Sequence, residues 1–238
     1  GSILLMQSLK KYKLDERREH YLTATLVGTT NHKSGLLICS ISTFLALSHL
    51  FIGGGEQLSR TLPELAKSSQ SLGSELPTIN MMKIGQSLAN YAQVKPFEFQ
   101  QMCFEFNRLF VGPGSPVAPP YESVYLSQDR LVMQEQTLEV RKMYQSENLM
   151  TTSQGTIPDD FIATELEFAA YLLNRVIQES SSGNSSNATK YLHLFNVFMQ
   201  EHPRRWLQVF ATIVSENTQH PVFLLVMQVL LSTIELSF

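Results

Sequence analysis

Only two cysteines, Cys39 and Cys103, occur in the 238 residues. Both fall in apolar stretches with helical spacing. The pair therefore reads as buried thiols in a reducing compartment and excludes a disulfide framework. Strong charge of either sign is also missing. The formal net charge is −3 and the isoelectric point is near 6.1, so the basic face of a nucleic-acid binder is not available, while a basic partner remains possible. No apolar core follows a basic start. The first residues interleave Lys10, Lys11, Asp15, Glu16, Arg17 and Glu19, so no secretory leader is expected. Long hydrophobic runs are scarce. Residues 36–52 lack Asp, Glu, Lys and Arg but include Ser40, Ser42, Thr43, Ser48 and His49, and their length is at the lower limit for a span. A buried core helix is expected there, and again at 222–231, so no stable membrane insertion is expected. Asn184 and Asn187 open triplets of the glycosylation pattern, read as chance matches in a polar loop.

Catalytic signatures are absent as well. The chain holds no GxxxxGK[ST] or GxGxxG loop, no HExxH, no CxxC and no GxSxG elbow. Its six histidines are scattered, with no pair at helical spacing to form a metal face. Neither an enzymatic activity nor a cofactor or metal is expected, although a site assembled from distant residues stays open.

What is present is helix. Apolar residues make up 43% of the chain, enough for a full core without metals or disulfides. Phe99, Met102, Cys103, Phe106, Leu109 and Phe110 form one apolar stripe at the helical period. Ile162, Leu166, Ala169, Leu172, Leu173 and Val176 form a second, and Trp206, Val209, Phe210, Ile213 and Val214 a third. Clean apolar/polar alternation is missing, so sheet content near zero and nine or ten helices are predicted. Gly53, Gly54 and Gly55 end the apolar segment. Pro63, Pro77 and Pro96 are read as lying near helix starts, and Pro203 as opening the helix of Trp206. The reading is all-α: one multi-helix bundle over 1–238 without internal repeats. A Pro-rich connector or hinge at 111–121 joins two helical halves, and a flexible polar loop covers 179–189.

Three clusters carry the functional expectation. In 106–125 an aromatic helix runs into a rigid proline segment and then Tyr121, Glu122 and Ser123. That is either a core helix with a stiff connector or a preformed groove wall for an apolar, basic peptide. The second cluster is Pro158, Asp159 and Asp160, with Glu165 beyond. Here Thr156 and Asp159 resemble a capping box, and proline and acids suit a first helical turn. Alternatively, Asp160 or Glu165 projects into a cleft and takes a guanidinium. The third, Phe198, His202, Trp206 and Phe210, is read as core.

Taken in order, these segments resemble the TorD/DmsD/NarJ family of redox-enzyme maturation chaperones, from about Phe97 to Phe210. The resemblance rests on Leu109-Phe110-Val111-Gly112-Pro113, on Pro119-Pro120-Tyr121-Glu122-Ser123-Val124-Tyr125, on Pro158-Asp159-Asp160 with Glu165-Leu166-Glu167-Phe168, and on Phe198, His202 and Trp206. It implies a TorD-like, cofactor-free cytoplasmic chaperone of anaerobic respiration. Such a protein binds the twin-arginine leader, or the apo form, of a molybdenum-containing reductase, supports cofactor insertion and delays export. Peptide binding by Phe106, Leu109, Phe110, Gly112, Pro113, Tyr121, Glu122, Asp159, Asp160 and Glu165 is expected on this basis, in a monomer or homodimer. The chain departs from the family in carrying Asp160 where His is common and Pro203 where Leu is usual. Two other readings stand beside it: a scaffold for the mature part of a non-exported enzyme, and a metal or small-ligand protein using Glu122, Asp159, Asp160 and Glu165.

Overall fold

Residues 162–173 form an unbroken buried run, polar members included, and this segment is the axis of the protein. A helix buried on every side belongs at the centre of a core. The computed structural model describes residues 32–77, 80–127, 131–152 and 156–238.

The helices are α1 (His32–Gly53), α2 (Leu58–Glu75), α3 (Met81–Tyr91), α4 (Pro96–Phe106), α5 (Glu122–Leu126), α6 (Glu135–Ser146), α7 (Ile162–Ser181), α8 (Ser185–Glu201), α9 (Pro203–Asn217) and α10 (Pro221–Ile234). Among the described residues there is no strand, only an isolated antiparallel bridge between Tyr121 and Phe161. The all-α class expected from the periodicity is what the chain forms. The axial helix α7 lies against α1 and α8, while α2 and α3 pair on the far side of α1. Gly85 makes that last pairing possible, since a Cβ there would sit 2.7 Å from the Ala66 carbonyl oxygen.

Within α1, Ser34–Gly53 is long and apolar enough to cross a membrane, and half of that window is buried in the protein. Phe44, Leu47 and Leu50 are wholly enclosed, and Ser48 Oγ donates to the Ala163 carbonyl of α7 at 2.8 Å. These contacts are those of a core helix, as expected for 36–52. It ends at Gly53, followed by Gly54 at φ 65°.

Several local expectations change. Pro96 and Pro203 do open α4 and α9, but Pro63 lies inside α2 and Pro77 follows that helix. A proline there forgoes one backbone bond, costing about 3 kcal/mol. Burial of Leu58, Leu62 and Leu65 offsets it, at roughly 1.5–3 kcal/mol each. The polar stretch 179–189 is mostly helix. Only 182–184 interrupts α7 and α8, because Asn184 caps α8 by accepting from the Asn187 N–H at 3.3 Å. Val209 is exposed, and the inner face of α9 is Trp206, Leu207, Phe210, Ala211 and Val214. Both thiols are half-buried rather than buried.

Candidate functional site: an apolar groove over a buried acid cluster

The end of α4 builds one wall. After Phe106 the backbone widens into a π turn over Asn107–Val111, closed by the Gly112 N–H to the Asn107 carbonyl at 2.6 Å. Gly112 has φ 73°, and a Cβ there would meet the Gly114 oxygen at 2.4 Å, so this reversal requires glycine. The proline segment then folds back along the helix end. The N–H groups of Val117 and Ala118 donate to the carbonyls of Arg108 and Leu109 at 3.3 and 2.8 Å, satisfying acceptors that a helix terminus leaves open.

Between these parts lies an open groove of about 460 Å³. Phe51, Phe106 and Phe110 form its back, Pro116, Pro119 and Pro120 one side, and Tyr121, Val124, Phe161, Leu131 and Val132 the other. Phe110 meets Phe106 at 4.9 Å and Phe51 at 5.3 Å, edge to face, and stacks on Phe210 at 5.7 Å. Such contacts fix the rings before any ligand arrives. At the rim, Val111 and Leu131 are 57% and 56% exposed. Among the described residues, no acidic side chain lines the groove.

The carboxylates expected to face a cleft are buried and are not part of the groove lining. Asp160 is fully buried: Oδ2 accepts the Ser123 backbone N–H at 2.8 Å and Oδ1 the Thr137 hydroxyl at 2.8 Å. Its backbone oxygen takes the Glu122 N–H at 3.1 Å, and the Ile162 N–H reaches the Pro120 carbonyl at 2.9 Å. Asp159 accepts from Arg141 Nε and from the Thr151 hydroxyl at 2.7 Å. Glu122 and Glu165 are fully buried. His202 Nδ1 lies 2.9 Å from Glu122 Oε2, and the Trp206 indole N–H donates to Glu165 Oε2 at 3.0 Å. Burial pushes the Glu165 carboxyl well above the usual range, and the neighbouring Glu122 charge adds to it. Burial also pushes Glu122 up, with His202 opposing.

The expectation that Asp160 or Glu165 projects into a cleft is therefore corrected: each is spent on an internal partner, because an unpaired carboxylate in a dry interior is too costly. The capping-box reading of Thr156 and Asp159 is corrected too. Helix α7 begins after Phe161, and its first turn carries Glu165, while Asp160 caps α5 from a distant segment. Of the other expected peptide-binding residues, Phe106, Phe110 and Tyr121 line the groove, Leu109 is core, Gly112 makes the turn and Pro113 stands exposed beyond it. Sequence reading missed Phe51, Leu131, Val132 and Phe161, which reach the groove only through tertiary packing. Missed also was the Glu105 carboxylate, held below its usual range by the guanidinium of Arg108, which in turn donates to the Asn217 carbonyl at 2.6 Å. Among the described residues, no three His, Cys, Asp or Glu side chains converge to hold a metal ion.

Residues 79–212, which contain most of the groove and the whole acid cluster, match the model of the nitrate reductase delta subunit family. The chain is 27% identical over 117 residues to a protein of Haemophilus influenzae named as a probable Tat proofreading chaperone DmsD, covering 49% of this chain and 50% of that one. It is 24% identical over 179 residues to a chaperone protein TorD of Aliivibrio salmonicida, covering 75% of each. The match thus spans only half the length of the first relative and three quarters of the second.

Proposed function

This chain belongs to the nitrate reductase delta subunit family, to which the TorD and DmsD chaperones are related, and on that premise we propose that it is a client-binding maturation chaperone and not an enzyme. Its client is an exported molybdenum-containing reductase, met in the cytoplasm in its apo form, and the groove takes the apolar part of the twin-arginine leader. One observation carries the reading: a rigid, aromatic-backed groove stands open with exposed Val111, Leu131 and Val132 at its rim. Exposed contiguous apolar surface marks a binding site, and a preformed wall lowers the ordering cost of binding.

The arginine end is assigned to Asp159. It adjoins groove-lining Phe161 by only two positions, and it already holds a guanidinium, that of half-exposed Arg141. A client arginine enters by exchange with that side chain. The binding test is anisotropy of a fluorescent twin-arginine leader titrated with the protein at two salt concentrations, with a Lys-Lys leader as control. Saturable binding that weakens with salt, and is lost in Leu131→Asp with Val132→Asp, supports the reading. A folded protein that ignores the leader, or a double variant that binds at full strength, sinks it.

A second reading is favoured by a separate feature. Phe97 and Phe104 are 69% and 64% exposed on α4, outside the groove, and fit contact with the mature part of the client. Pull-down of a leaderless client, lost on Phe104→Asp, separates the two.

A further inference from the structure

Glu165 has one oxygen that no described protein group donates to. Its Oε2 takes the Trp206 indole N–H, whereas Oε1 is buried with no donor among the described residues. The neighbouring carboxyl is that of Glu122, itself taken by His202 Nδ1. An ionised Glu122 only accepts, and in that state the hydrogen on the contact belongs to His202. Two neighbouring carboxyls that are both fully buried resist ionising together, which favours one of them keeping its proton.

The surrounding groups decide which one. His202 and Arg205, at the start of α9, favour the ionised form of Glu122. Asp160, from the segment before α7, disfavours ionisation of both acids. Tyr144 of α6 and Tyr125 of α5 are phenols that burial keeps neutral. Burial, Glu122 and Asp160 all disfavour ionisation of Glu165, and the Trp206 N–H opposes them, so Glu165 is the acid whose neutral form its surroundings favour.

Resting on the client-binding reading above, we propose that Glu165 is a positioning residue. It holds a proton at neutral pH, donates Oε1–H to Glu122, and so locks α5 and the Tyr121–Val124 side of the groove. Binding of an apolar client segment then weakens as pH rises and that proton leaves. Helix α5 is only five residues long, too short to stand without anchors. Its other fastenings include the Asp160 cap on Ser123, the Glu122 N–H to the Asp160 carbonyl, the Glu122–His202 contact and the stack of Tyr125 on Trp206 at 5.2 Å. On deprotonation the proton passes to bulk water, and like charges face each other where a hydrogen bond stood.

Trp206 is the only tryptophan and bonds directly to Glu165, so its emission reports the cluster. The experiment follows Trp206 emission of the full chain from about pH 5 to about pH 9, the window a buried carboxyl reaches. In parallel it measures the affinity of an uncharged apolar fluorescent peptide. The expected result is a Trp206 transition above the ordinary carboxyl range, absent in Glu165→Gln. Peptide affinity should fall by roughly threefold or more through the same transition, as linkage requires, and stay level in Glu165→Gln. If that variant does not fold, Glu122→Gln replaces it: removing the neighbouring charge should move the transition to lower pH. A flat Trp206 signal, or one unchanged by these substitutions, overturns the proton assignment. A clear transition with peptide affinity unmoved overturns the coupling to the groove. A peptide that binds at no pH while the transition persists strikes the client-binding reading and leaves the protonated Glu165 standing.

Discussion

Asp160 Oδ2 accepts the backbone N–H of Ser123 at 2.8 Å across 37 positions of sequence. That bond caps α5, whose own N-cap residue, Tyr121, supplies no side-chain acceptor. An acid in a segment resembling a peptide-binding motif thus holds the floor of the groove together.

Replacing Asp160 by Ala strands the Ser123 N–H and the Thr137 hydroxyl, both buried. Two unsatisfied buried donors cost roughly 2–5 kcal/mol. Urea unfolding should show that loss of stability directly. Asp160→Asn, which puts an amide where both partners donate, should also destabilise. Loss of leader binding in an Asp159→Asn, Asp160→Asn double variant is therefore interpretable only alongside a melt.

Trp206 is wholly enclosed, stacked on Tyr125 and edge-on to Phe210 at 5.5 Å. Trp206→Ala should cost about 3–5 kcal/mol. Trp206→Phe keeps most of the packing but removes the donor to Glu165 Oε2, so its smaller loss, about 1–3 kcal/mol, isolates the hydrogen bond. Denaturant midpoints for the two variants check both values.

Gly112 and Gly114 make a matched pair. A Cβ at Gly112 collides with the Gly114 oxygen at positive φ, whereas one at Gly114 meets nothing within 4 Å. Gly112→Ala should lower stability by about 1–3 kcal/mol, with Gly114→Ala near neutral. Thermal melts of the two proteins, side by side, decide it.

At the groove rim Val111 is 57% exposed. Val111→Asp should leave stability within about 0.5 kcal/mol and weaken a leader by about tenfold or more, which is about 1.4 kcal/mol. An equal loss of stability and affinity would place Val111 in the fold rather than in recognition.

Two histidines should titrate in opposite directions. His49 Nδ1 lies 2.8 Å from Glu64, and that hydrogen bond raises its pKa above the ordinary histidine value of 6.5. Its stabilising contribution is present at low pH and is lost as pH rises through the raised value. It is small, because the pair is partly exposed. His220 is lowered, chiefly by burial. Its Nδ1 must be unprotonated to accept the Val222 N–H that caps α10, so that contribution is lost as pH falls below 6.5 toward the lowered value. Imidazole proton shifts followed by NMR give both midpoints, and Glu64→Gln should return His49 toward 6.5.

The helical period was legible in the sequence alone, and so were the helix starts at Pro96 and Pro203, though not the places of Pro63 and Pro77. The stripes through Met102, Phe106 and Phe110, and through Leu166, Ala169 and Leu173, are buried faces. The chain folds back after Val111 because glycine and proline leave it few alternatives. The aromatic back wall, Phe106 and Phe110, was legible for the same reason. The fate of each carboxylate was not. Asp159, Asp160, Glu122 and Glu165 are equally polar in a string of letters, and their partners Arg141, Ser123, His202 and Trp206 come from other elements, the last two pairs 80 and 41 positions apart. Local propensity depends on neighbours within a turn or two, so sequence sufficed for elements and their faces. Burial of a charge depends on what the rest of the chain brings against it, so only the tertiary structure decided that Asp160, Glu122 and Glu165 are enclosed among internal partners and that apolar side chains line the groove.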